Sequence, residues 1–124
     1  MATEVTKFES QQELRVGVNG PDGANSLLVL TGLAVLEGGA TKVKAFRFLL
    51  GPAVEHQNFH GAVAMAASPS RNAAAGSEFR IRSVDAEWDD ETKQVEVKVE
   101  ALFSGPDEQW ISYQVTMLAE LPDA

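Results

Sequence analysis

No cysteine occurs in this chain of 124 residues, which excludes a disulfide framework and any thiolate chemistry. Histidine is limited to two residues, and aromatic residues make up 7%, with two Trp and one Tyr. Basic residues are outnumbered 10 to 18, giving a net charge of -8. A chain of that sign repels nucleic acid phosphates and anionic lipid heads. Lys42, Lys44 and Arg47 form a small basic group, but no aromatic stacking platform accompanies them. Nucleic acid and membrane are therefore not expected as partners. Long apolar runs are also missing. The longest, Leu27 to Leu36, is broken by Thr31 and Gly32 and falls short of the roughly 20 residues a membrane helix needs. Met1 to Gln12 is polar and lacks the basic start and apolar run of a secretory signal, so a cytoplasmic location is expected.

What is present is ordinary globular composition, 44% hydrophobic and 23% charged. A chain of this size can bury about two thirds of its unfolded surface. One domain over residues 1–124 is expected, with 1–6 and 122–124 frayed. Charge is unevenly spread: net -3 over residues 1–37, +4 over 38–84 and -9 over 85–124. Such separation suits solubility, and it could also steer opposite-sign surfaces together.

Hydrophobicity alternates with period two almost throughout. Leu14, Val16 and Val18 form one apolar row, followed by a dense turn signal at Asn19–Gly23. The run Leu27–Leu36 ends at Gly38-Gly39, and Val43–Leu50 follows with Phe46 and Phe48 in one phase. Further alternating segments cover 78–88, 94–103 and 110–121. The expected fold is an all-β antiparallel β-sandwich of about seven strands, immunoglobulin-like or jelly-roll-like. Its last three segments are expected to form a meander. For residues 52–67 a strand is favoured, with a short helix as the alternative, and residues 68–77 read as a loop.

Two details can be read more finely. The apolar phase shifts between Ile81 and Val84, which requires one extra residue, a β-bulge near Arg82-Ser83. The hairpin after it pairs Trp88 with Val95, Ala86 with Val97 and Val84 with Val99 on one face. Asp85 then meets Lys98, Ser83 meets Glu100, and Glu87 meets Glu96 on the other. Residues 90–93 form the turn.

Candidate chemistry is sparse. His56 and His60 share a face at i, i+4, but on a strand they stand about 13 Å apart, too far to share one ion at ~2.1 Å each. No metal and no cofactor are expected. The acids Asp85, Glu87, Asp89, Asp90 and Glu91 lack calcium-loop spacing and read as a solvated strand face. Nucleophile motifs and phosphate-binding glycine loops are absent. Trp88 falls in the apolar phase and is expected in the core. Trp110 falls in the polar phase after Asp107, Glu108 and Gln109, an arrangement that suits sugar stacking.

The clearest functional signal is an excess of apolar faces. In the run 27–36 both phases are apolar, whereas a two-layer sandwich strand needs only one. The expectation is a non-enzymatic binding or assembly module acting as a homo-oligomer. Its interface is assigned to Leu27, Val29, Leu33, Val35, Phe46 and Phe48. One alternative is a carbohydrate-binding module using Trp110, Asp107, Glu108 and Gln109, with His56, Asn58 and His60 as further candidate ligand contacts. A second is a small enzyme with His56, His60 and a carboxylate. The expected partner is a second copy of the chain, with a glycan or another protein as the other possibilities.

Overall fold

The computed structural model describes residues 2–20, 23–38, 42–69, 79–105 and 108–121. Alternation in the sequence is matched by strands: β1 (Thr3–Glu4), β2 (Phe8–Gly20), β3 (Gly23–Leu36), β4 (Lys42–Leu50), β5 (Phe59–Ala67), β6 (Phe79–Trp88), β7 (Val95–Phe103) and β8 (Gln109–Ala119). They form two four-stranded sheets, ordered β1-β4-β7-β6 and β2-β3-β8-β5. All pairings are antiparallel except the two-residue β1–β4 contact. The molecule is a β-sandwich, and its sheets do not close into a barrel. No helix among the described residues is long and apolar enough to cross a membrane.

The core lies between the sheets and follows the phase of each strand. Leu28, Leu30, Ala34 and Leu36 of β3 meet Phe46, Phe48 and Leu50 of β4. Val95, Val97 and Val99 of β7 meet Ile111, Tyr113, Val115 and Met117 of β8. Aromatic rings stitch the layers together, with Phe48 5.2 Å from Tyr113 and 5.5 Å from Phe8, and within one sheet Phe103 lies 5.2 Å from Phe79. Edge-on and tilted geometries of this kind add to the area each ring buries. Gly32 is needed at its place. It stands opposite Tyr113, and a side chain there would run into the Tyr113 phenol and the Ser10 carbonyl.

The β6–β7 hairpin has the expected register, including Trp88–Val95, Asp85–Lys98 and the like-charged Glu87–Glu96 pair. The bulge falls between Ile81 and Ser83. Its loop is closed by Asp89, whose carboxylate accepts the Thr92 hydroxyl at 2.6 Å and the Thr92 N–H at 2.9 Å. Lys93 takes a positive φ of 65° to complete the turn.

Several expectations are corrected. The last three strands are not a meander: β8 leaves its hairpin neighbours, crosses to the other sheet and inserts between β3 and β5. The free edge of β7 is already taken by β4, so β8 must pair elsewhere. For residues 52–67, by contrast, the favoured strand is found as β5, and no α-helix is present. A single 3₁₀ turn at His56–Asn58 leads into β5. The backbone of the preceding segment is bonded to the β6–β7 hairpin instead. Val54 N–H donates to the Lys93 carbonyl at 2.9 Å, and Trp88 Nε1 donates to the Val54 carbonyl at 2.8 Å. Gln94 Nε2 reaches the Gly51 carbonyl at 2.7 Å. Trp88 is accordingly half-buried rather than in the core, with the His56 ring 4.8 Å and Lys93 Nζ 5.1 Å from its ring centroid. Residues 3–5, expected to fray, are tied down: Thr3 and Glu4 pair with Phe46 and Arg47, and Val5 is buried. Within the 68–77 loop only Ser68 and Pro69 are described, and residues 122–124, Gly39 and the centre of the Asn19–Gly23 turn lie outside the described residues.

Candidate functional site

The pleat assigns every residue of a sheet to one of two faces. On the outer face of the β1-β4-β7-β6 sheet stand Arg47, Lys98 and Asp85 in one row, with Glu96 and Glu87 in the next. Arg47 donates to Glu96 at 2.7 Å, Lys98 lies 3.4 Å from the same carboxylate, and Arg82 lies 3.8 Å from Glu100. The Glu96 hydrogen bond holds the Arg47 guanidinium above its ordinary pKa, against a smaller opposing effect of burial. This face is an ordinary solvated surface.

The outer face of the β2-β3-β8-β5 sheet is different. Its rows, read across four strands, are Val16–Leu27–Leu118–Gly61, Leu14–Val29–Thr116–Val63, Gln12–Thr31–Gln114–Met65 and Ser10–Leu33–Ser112–Ala67. None of these residues carries a charge. Leu14 is 60% exposed, Val63 67% and Met65 57%. A shallow depression lies among Thr31, Met65, Ala67, Ser112 and Gln114, where small side chains leave the surface low.

This face arises because β2 is turned over relative to its overall polarity. Its apolar row, Leu14, Val16 and Val18, points away from the sandwich. Its polar row, Gln11, Glu13 and Arg15, points inward, in phase with the Leu28 and Leu30 side of β3. The inward row stays exposed because β1, the strand at the corresponding edge of the other sheet, is only two residues long. In this gap Arg15 Nε donates to the Ser26 hydroxyl at 3.1 Å. The Tyr113 phenol reaches the same side. Burial raises its pKa, and a hydrogen bond from Gln11 partly offsets that rise.

Of the residues expected at an interface, Leu27, Val29 and Leu33 lie on this outer face, half-buried. Phe46 and Phe48 do not. They are 1% and 2% exposed in the core, because their phase faces the other sheet. Val35 is 4% exposed, and its N–H bonds the Lys7 carbonyl of the N-terminal segment. The three are covered within the chain. The most exposed members of the face, Leu14, Val16, Val63 and Met65, were visible in the sequence as alternating apolar residues. Alternation alone does not say which side of a sheet they take.

The expected ligand-contacting residues are not brought together. Gln109 and Trp110 are consecutive on β8 and so face opposite sides. Gln109 is fully buried, and neither of its amide atoms has a hydrogen-bond partner among the described residues. Trp110 is half-buried with its indole nitrogen enclosed rather than displayed. Glu108 is exposed and lies 3.8 Å from Lys7, while Asp107 lies outside the described residues. His56, Asn58 and His60 sit near the start of β5, which pairs with the Ala119 end of β8, the far end from Trp110. No three His, Asp or Glu residues converge on a point among the described residues. No protein-family profile matches the chain, and neither curated proteins nor solved structures give a match.

Proposed function

We propose that the chain is a non-enzymatic assembly module in which a second copy covers the outer face of the β2-β3-β8-β5 sheet. The observation that carries this reading is the row-by-row absence of charge across four strands, with Leu14, Val63 and Met65 more than half exposed. Four strands about 4.8 Å apart and seven residues of about 3.4 Å each give an uncharged face on the order of 460 Å² in plan. That is more than half of the roughly 800 Å² each partner contributes to a standard interface, and in the range of the largest patches on monomers, which are often functional.

A second copy can meet this face despite its like net charge. The chain carries a net charge of -8, so two copies repel over most of their surface. This face lets them meet without burying like charges, and a two-fold interface brings each residue against the same patch. Sheets packed in this way stand about 10 Å apart with their side chains interleaved. The glycan and histidine readings draw on two groups at opposite ends of β8, with Gln109 buried and no three His, Asp or Glu residues converging among the described residues.

Light scattering tests the reading. The wild-type protein is expected to exceed the monomer mass at micromolar concentration. Val29→Asp and Val63→Asp each place a charge on the face without touching the core, and each is expected to lower the mass. Lys98→Ala, on the opposite face, is expected to leave it unchanged. Unchanged mass in both aspartate variants would contradict the proposal.

A further inference from the structure

A sandwich of two open sheets has four edge strands, here β1 and β6 in one sheet and β2 and β5 in the other. Exposed edges template pairing with other chains and are usually blunted. Three of these four are. β1 is two residues long, β6 carries a bulge between Ile81 and Ser83 with Arg80 and Arg82 exposed, and β5 starts with a bulge between Phe59 and Gly61. β2 also starts with a bulge, between Phe8 and Ser10, and carries Glu13 and Arg15 on its inward side, but beyond that bulge its edge is long and regular. From Ser10 to Gly20 it runs in unbroken register with β3, and it contains no Pro and no Lys over that length.

We propose that two copies also join edge to edge through β2, antiparallel, with Leu14 on the two-fold axis. The register follows from side chains. Opposite residues of an antiparallel pair share a face, so only registers that put even-numbered residues opposite even-numbered ones keep Leu14, Val16 and Val18 together. With Leu14 on the axis, Glu13 stands opposite Arg15 of the other copy, and the symmetric pair repeats it. Gln12 then meets Val16 and Ser10 meets Val18. Shifting the axis to Glu13 sets Glu13 against itself, and shifting it to Arg15 sets Arg15 against itself. With Val16 on the axis, Glu13 meets Asn19 and Arg15 meets Gly17, so neither charge is paired. With Gln12 on the axis, Arg15 would face Glu9, which falls at the bulge between Phe8 and Ser10 and outside the regular ladder. Directly opposed like charges are unfavourable and opposite charges favourable, so within the regular ladder the Leu14 register is favoured. The ion pairs fall on the inward side, which stays open because β1 is short. The joined strands would extend the apolar outer face across eight strands. This edge contact is a separate interface from the face-to-face one, although Leu14 at its centre also belongs to the outer face.

The absence of native cysteine makes single-cysteine cross-linking the test. Directly opposed Cα atoms lie about 4.5–5.5 Å apart, within disulfide reach. Residues 12 and 16 would each stand about 14 Å from their own symmetry mates. Mild oxidation is therefore expected to give a covalent dimer with Leu14→Cys. Gln12→Cys alone and Val16→Cys alone should give none, whereas a mixture of those two should cross-link. Glu13→Arg is expected to weaken the edge dimer roughly tenfold, and the double variant Glu13→Arg/Arg15→Glu to restore it. Adding Val63→Asp to Leu14→Cys separates the two interfaces: the cross-link should persist while the face contact is lost. A Leu14→Cys chain that stays uncross-linked, or equal self-cross-linking at all three positions, would overturn the proposal.

Discussion

The two outer faces of this sandwich are built from the same pleated geometry and differ in what they present to water. On the β1-β4-β7-β6 sheet the outward phase mixes charged residues with Val43, Leu49 and Leu102, and Arg47, Lys98 and Glu96 form a small ionic network. On the β2-β3-β8-β5 sheet the outward phase holds Leu, Val, Met, Thr, Ser and Gln and no ionisable group. Both sheets share one core, so the difference costs the fold nothing in its interior. It concerns only how each outer face is used. A charged face keeps chains apart, and an uncharged apolar face of this extent favours a cover.

The largest effect that sharpens the comparison comes from the shared core. Phe48 was expected at the interface but packs between the sheets. Phe48→Ala is expected to cost about 3–5 kcal/mol of stability, read as a fall in the denaturation midpoint that does not depend on protein concentration. A true interface residue would show strong concentration dependence. Gln109 offers the opposite sign. Its amide is buried without a hydrogen-bond partner among the described residues, so Gln109→Leu is expected to stabilise the fold by roughly 1–3 kcal/mol, read by denaturant titration. A loss of stability there would show that the amide is satisfied in solution.

On the charged face the effects are smaller. Arg47→Ala removes a partly exposed ion pair and is expected to cost about 1 kcal/mol or less, with the loss shrinking as salt rises. Association through the apolar face should show little salt dependence, so a salt titration of both quantities separates the faces. The smallest effect is at Asp89. Hydrogen bonds from Thr92 hold its carboxylate below the ordinary range. Its contribution is complete above the unfolded carboxylate pKa near 3.9 and is lost as pH falls through the lower folded value. Acid titration of Asp89→Asn against wild type should show the stability difference narrowing only in strongly acidic solution.

Local pairing was legible in the sequence, and its assembly in space was not. The β6–β7 register and its bulge followed from residues within about 20 positions of one another, where alternation and a short loop leave one solution. The destination of β8 could not be read the same way. Its apolar phase fits any sheet, and only the occupancy of the β7 edge by β4 decides where it pairs. The strand favoured for 52–67 is present, but what residues 52–55 do before it was not legible, for a related reason. Pro52 can open a helix, but the backbone there is bonded to a hairpin lying more than 30 positions away. For the candidate site, the sequence shows that both phases of β3 are apolar. Which phase faced outward, and that Leu14 and Val16 join it, depended on β2 overhanging a two-residue strand.

Thiol labelling of the two faces tests the central claim most directly, because the chain supplies no competing cysteine. Thr116→Cys lies near the middle of the apolar outer face, and Lys98→Cys near the middle of the charged one. Labelling rates are measured from nanomolar to high micromolar protein. The expected result is a Thr116→Cys rate that falls with concentration and a Lys98→Cys rate that does not. Equal, concentration-independent labelling at both positions would mean that no second copy covers the apolar face, and would contradict the account.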